Sequence, residues 1–231
     1  GAANLVYLSR AAQERYAAQR LPRGTLLPPQ VDVGICTDLG PAPAGRRRIV
    51  YFGPPLALRG ADLAIEAFEA AVAAGLDAEL ELLLRPDDGP EGCRRLQLRA
   101  ARSPARERIW VETRLLSVEE LKGRLANAHV FLLPFFLPVS EVPLVVIEAG
   151  LSGRPVVVLD APGVSEYARA LGGLVAASAA ALPRTLLEAC RREPTVAPGI
   201  EPWTRWDHAV AKLGDAGAAT VGRYKLIAIA G

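Results

Sequence analysis

The stretch Ser140–Asp160, S-E-V-P-L-V-V-I-E-A-G-L-S-G-R-P-V-V-V-L-D, decides the fold. Pro143 ends a loop, and the apolar run from Leu144 opens a helix over Leu144–Leu151. Gly153 and Pro155 then turn the chain into Val156–Leu159, four apolar residues that suit a strand buried on both faces. Polar groups cluster at the helix entrance, at Ser140 and Glu141, and one turn further on, at Glu148. A helix start carries unpaired N–H groups and the positive end of the helix dipole, so it suits an anion or an array of hydroxyls. An acidic residue near a helix start is also common for structural reasons alone.

Outward from this unit the same alternation repeats. Strands are predicted at Leu5–Leu8, Thr25–Leu27, Arg48–Phe52, Glu79–Leu84, Arg108–Glu112, Val130–Leu133 and Leu174–Ala176. Helices are predicted over about Arg10–Arg20, Asp62–Ala74, Glu91–Arg102, Val118–Ala128, Val164–Ala170, Leu182–Arg192 and Trp203–Leu213. Ser117 with Glu120 three residues later is a capping-box start. The expected fold is α/β: a Rossmann-like, three-layer α/β/α domain with a mainly parallel sheet. We read a single domain over 1–231, with an entry segment at 1–45, the core at 46–192, and a linker, final helix and tail at 193–231.

Composition narrows the function classes. The chain has 231 residues, 51% of them hydrophobic, and a net charge of +2, so a large core is expected and a nucleic-acid footprint is not. Arg46-Arg47-Arg48 is the one basic cluster and reads as a solvated turn. Cys36, Cys93 and Cys190 lack metal-ligand spacing, which points to inert thiols in a reducing, cytoplasmic setting. The apolar run Val130–Val139 is broken by Pro134 and Pro138 and is too short to span a bilayer. His129 reads as a residue packed at a strand entrance. No G-x-G-x-x-G follows the first core strand and no Walker motif is present, which removes dinucleotide dehydrogenases and P-loop ATPases. In open parallel sheets the ligand lies outside the carboxyl ends of the strands. Those ends hold Gly53, Arg59, Glu141 and Glu166.

Six segments, in order, carry a family resemblance. They are Y-L-S-R-A-A-Q-E-R-Y, L-L-P-P-Q-V-D, F-G-P-P-L-A-L-R-G-A-D-L-A-I-E-A-F, S-V-E-E-L-K-G-R-L-A-N-A-H-V-F-L-L-P-F, S-E-V-P-L-V-V-I-E-A-G-L-S-G-R-P-V-V and A-P-G-V-S-E-Y. The series resembles the C-terminal, donor-binding half of a GT-B retaining glycosyltransferase of family 4, the group 1 glycosyltransferases. That resemblance implies a hexose transferred from a UDP- or GDP-sugar to a hydroxyl acceptor. It implies no cofactor and no metal, since a cation offsets the charge of the departing diphosphate. It also implies a partner, an N-terminal acceptor domain, without which the chain transfers no sugar. Peripheral membrane association of the full-length enzyme is compatible with it.

Roles follow position by position. Glu148 matches the second glutamate of the family's E-x7-E pair and would hold ribose hydroxyls, since one carboxylate can accept from both. The backbone N–H groups of Val142, Leu144 and Val145 would face the donor sugar or the diphosphate. Arg59 lies where the family has a phosphate-binding lysine, with Gly53 at the start of the same segment. Ser140 takes the place of the first glutamate, Glu141 stands one step on and would reach the sugar, so that Arg59 and Glu141 are the implied catalytic residues, and Glu166 closes the G-x-x-E. Pro54 replaces an arginine of the phosphate segment, and Pro143 removes one backbone donor. These departures keep a second reading open, a degenerate, non-catalytic interaction or regulatory module that retains the fold.

Overall fold

The computed structural model describes residues 5–21, 24–31, 35–37, 39–86, 89–136, 141–194, 209 and 211. Its strands are β1 (Val6–Tyr7), β2 (Thr25–Leu26), β3 (Arg47–Gly53), β4 (Ala78–Leu84), β5 (Ile109–Glu112), β6 (Val130–Leu133), β7 (Val156–Leu159) and β8 (Leu174–Ala176). Its helices are α1 (Arg10–Ala18), α2 (Ala61–Ala73), α3 (Pro90–Ala101), α4 (Val118–Ala126), α5 (Leu144–Leu151), α6 (Ser165–Ala170) and α7 (Leu182–Arg191). Element types agree with the sequence reading, and the boundaries differ by one or two residues. The predicted final helix lies outside the described residues except for Ala209 and Ala211, which are helical.

β3 to β8 form one six-stranded sheet in the order β5-β4-β3-β6-β7-β8, every neighbouring pair parallel. The order reverses between β3 and β6. Crossovers that keep the usual right hand put α2, α3 and α7 on one face and α4, α5 and α6 on the other, and α2 packs on α7 as α5 packs on α6. β1 and β2 are not part of this sheet. Among the described residues they pair only with each other, and they carry α1 between them.

The central strands read as continuous apolar runs because helices cover both their faces. Ile49, Val50 and Tyr51 of β3, and Phe131, Leu132 and Leu133 of β6, are all buried. α2 buries Ala64, Ile65, Phe68 and Ala71, one stripe at helical spacing, and Phe68 alone is worth about 2–3 kcal/mol of burial. A second, smaller cluster joins Val31 of the entry segment to Val142, Ile147, Leu151, Tyr167 and Leu171, with Leu8 packed against it. It is the apolar glue between the entry segment and helices α5 and α6.

The amino ends of the strands are held by matched charges. Arg46, Arg47 and Arg48 lead into and begin β3 instead of forming a turn, and they pair with Asp77, Glu193 and Glu79. His129 staples the same end. Its Nδ1 accepts from the Arg48 N–H at 3.0 Å and its Nε2 lies 2.8 Å from the Pro43 carbonyl, which fixes the Nε2–H tautomer. Burial holds this imidazole below its ordinary value, ahead of the opposing Pro43 bond. All three cysteines are free and buried, and burial pushes the Cys190 thiol up to about 11. Among the described residues no helix is long and apolar enough to cross a membrane.

Candidate functional site

The crevice at the carboxyl ends of β3 and β6 is where the strand order reverses, the place where open α/β sheets receive ligands. β3 ends at Gly53, and the chain runs through Pro54 and Pro55 into a 3-10 turn, Ala57–Arg59. The Tyr51 hydroxyl donates to the Pro54 carbonyl at 2.9 Å and so fixes the start of this loop. Burial, ahead of any charge, pushes the Tyr51 phenol above its ordinary value and keeps it a neutral donor.

Gly60 then lets α2 begin. Its φ of +72° is left-handed, and a Cβ there would sit 2.1 Å from the Pro134 carbonyl oxygen. The β3 loop is thus pressed against the β6 loop. This contact sets Arg59 5.0 Å over the ring of Phe135, which packs edge-on against Tyr51. A half-buried guanidinium over an aromatic face gains cation–π attraction and loses rotamer freedom, so Arg59 is a positioned cation.

α5 starts on the other side of the crevice. Pro143 is its N-cap, and among the described residues no side chain caps the helix. Leu144 and Val145 therefore present the N–H groups of a first turn to the strand ends, Leu144 being exposed and Val145 half-buried. Val142 is buried in the second apolar cluster. Glu148 follows one turn into α5, half-buried, and lies near enough to Cys36 to add to burial in pushing that thiol up. Arg59 precedes α2 and Glu148 lies on α5, helices that cover opposite faces of the sheet. Ser140 lies outside the described residues.

Glu141 and Glu166 have another connection. Glu141 Oε1 accepts from the Ser9 N–H at 2.5 Å and from Ser9 Oγ at 3.0 Å. Glu166 accepts from the Arg10 N–H at 3.0 and 3.1 Å and from the Ala11 N–H at 3.3 Å. Ser9 Oγ in turn accepts from the Ala12 N–H at 3.1 Å. The two glutamates come together around the first turn of α1, where orphan donors and a positive dipole end favour carboxylates.

Sequence reasoning missed Ser9 and Phe135. Ser9 carries a signal, since serine before a helix is a common N-cap, but nothing local names a partner 132 residues away. Phe135 and Phe136 stand side by side after β6, and nothing local in the sequence tells them apart. The structure separates them: Phe135 is fully buried under Arg59, and Phe136 is 48% exposed. Phe136 borders a pocket of about 560 Å³ with Ala57, Asp62, Leu159, Asp160 and Ser178. Asp62 there is paired with Arg95, and Asp160 with Arg169.

Solved structures share this architecture. A glycosyltransferase from Rickettsia africae superposes with a TM-score of 0.74 at 10% identity, over 94% of this chain and 63% of that one. Sucrose-phosphate synthase from Thermosynechococcus elongatus gives 0.71 at 20% identity, over 94% and 58%. Anabaena HepE, solved with UDP and glucose, gives 0.69 at 12% identity, over 94% and 63%. The chain therefore spans about three-fifths of the length of these proteins. No curated protein sequence matches it significantly. The family model for glycosyl transferases group 1 matches residues 46–192, the whole six-stranded sheet with its helices. The chain belongs to the group 1 glycosyltransferases.

Proposed function

We propose that this chain is the nucleotide-sugar-binding, C-terminal half of a retaining, family 4 glycosyltransferase that moves a hexose from UDP or GDP to a hydroxyl acceptor. The observation that carries this reading is the switch-point crevice. Arg59, held on Phe135, follows β3, and the first turn of α5 follows β6, the two strands between which the order reverses. A diphosphate between them meets a cation and two backbone N–H groups. These groups offset the charge of the departing nucleoside diphosphate, so the reading needs no metal.

Glu148, one turn further, takes the ribose hydroxyls, and Gly53 allows the phosphates close to the backbone. Among the described residues both bonds of Glu141 go to its Oε1, leaving Oε2 for the donor sugar. The family pattern gives Ser140 the place of the first glutamate, and Glu166 holds the first turn of α1, on which Glu141 also rests. HepE of Anabaena is solved with UDP and with UDP-glucose, ligands of the class proposed here. Acceptor and further catalytic groups come from a facing N-terminal domain, because transfer requires both reactants to be held together. A cytoplasmic enzyme, peripheral to a membrane in its full-length form, fits this arrangement.

Thermal-shift titration with UDP, GDP and ADP tests the proposal. Stabilisation by UDP or GDP, with no sugar transfer by the chain alone, is the expected outcome. A specific observation favours the second reading: Glu141 is already bonded to Ser9, and Pro54 supplies no second phosphate cation. Absence of any nucleotide-dependent shift would make the chain a degenerate interaction module.

A further inference from the structure

Three separate pieces of the domain meet at the start of α1. Glu141 comes from the segment that leads into α5, and Glu166 and Tyr167 come from α6. Ser9 receives the first, the N–H groups of Arg10 and Ala11 receive the second, and the Tyr167 hydroxyl donates to the Leu8 carbonyl. Gly163 is built into the same junction. Its φ is +73°, and a Cβ on it would lie 2.0 Å from the Glu141 carbonyl oxygen and 3.8 Å from Ser9 Oγ. No side chain larger than hydrogen fits between these pieces.

Elsewhere the entry segment is anchored by Cys36 in the main core and by Pro43, whose carbonyl lies 2.8 Å from His129 Nε2. Among the described residues β1 and β2 pair only with each other, and Val6 and Leu21 are exposed large apolar residues. Beneath the polar junction, Leu8 and Val31 pack on Val142, Ile147 and Tyr167. Glu141 and Val142 of this junction immediately precede the turn that presents the Leu144 and Val145 N–H groups.

We infer that Ser9, Glu141 and Glu166 form an interlock through which the position of the entry segment sets the position of the donor-binding turn, and Ser9 is its positioning residue. The inference rests on the proposed function, in that it takes residues 141–145 as the donor-binding turn. Physically, one carboxylate is shared between two tasks. Glu141 can stay on Ser9 only while the 141–145 segment and α1 keep one relative placement, so a shift of either moves the other. By linkage, an occupied donor turn must then hold α1 as firmly as α1 holds the turn.

Hydrogen–deuterium exchange on the chain tests this without any ligand. Ser9→Ala should raise exchange at residues 142–147, and Ser9→Thr, which keeps the hydroxyl, should restore protection. Unchanged exchange at 142–147 overturns the interlock, and so does a rise spread evenly over the six-stranded sheet, which would be general loosening. Calorimetric titration with UDP and GDP reads the coupling. Ser9→Ala should weaken whichever nucleotide binds by about five-fold, the scale of one lost hydrogen bond, and bound nucleotide should protect residues 10–12 of wild type. Binding to Ser9→Ala at wild-type affinity overturns the coupling. If wild type binds no nucleotide, the proposed function fails while the exchange result still decides the interlock.

Discussion

The first turns of α1 and α5 draw on the same short stretch of chain and end in opposite states. Glu141 stands three residues before α5, within reach of a cap on its own helix, yet its carboxylate goes to Ser9. With Glu166 and Ser9 it leaves α1 with its first N–H groups bound to side-chain oxygens. α5 starts at Pro143, at the carboxyl end of the sheet, and among the described residues no side chain caps it. A third start, that of α4, is closed by its own residues: Ser117 Oγ accepts from Glu120 N–H at 3.2 Å and Glu120 Oε2 from Ser117 N–H at 2.9 Å. Closed starts are structural joints. An open start facing a ligand crevice is where an external anion finds donors.

The largest effect should come from breaking the closed state of α1. Glu166→Ala removes charge-assisted bonds to two N–H groups and should cost about 3 kcal/mol in urea unfolding. A loss under 0.5 kcal/mol would mean that the joint is solvent-satisfied.

Next comes the open side. Glu148→Gln should weaken UDP or GDP binding by about 2 kcal/mol, the worth of a charge-assisted bond. Glu141→Gln should weaken binding less, because its side chain is already bonded to Ser9. Equal affinity of wild type and Glu148→Gln, measured by calorimetry, would favour the degenerate module.

Ser117→Ala calibrates the contrast. It removes one side of a capping box that touches no site, and should cost about 1 kcal/mol of stability with no change in nucleotide affinity. A change in affinity would show that α4 communicates with the crevice. The smallest effect should follow from closing α5. Pro143→Ser supplies a cap and should gain about 0.5 kcal/mol of stability, while competing with the anion for the same N–H groups and weakening nucleotide binding slightly. Tighter binding in this variant would contradict the role given to the first turn of α5.

The sequence by itself determined the local elements, because their signals are local. Val156–Leu159 had to be buried on both faces and Ser117 and Glu120 had to cap a helix. On α2 the apolar spacing marked Leu63, Ile65 or Ala67, Phe68 and Val72; packing buries Ile65, Ala67 and Phe68 together with Ala64 and Ala71 and leaves Leu63 and Val72 half-buried. The parallel sheet and the carboxyl-end location of the crevice followed from the alternation of strand and helix. Gly53, Arg59 and Glu148 were singled out there by their place in that alternation and by the family pattern.

Only the tertiary structure decided which donors each carboxylate meets. Glu141 and Ser9 are 132 residues apart, and Glu166 and Arg10 are 156 apart. No residue pattern around Glu166 distinguishes a ligand for a hydroxyl from a cap for a distant helix. The same holds for Arg59, whose place over Phe135 depends on the close approach of Gly60 to Pro134. The reason is physical. Periodicity and capping act over a few residues and are written in sequence. A side-chain oxygen binds whichever unsatisfied N–H the folded chain brings within about 3 Å, and that choice belongs to the packing.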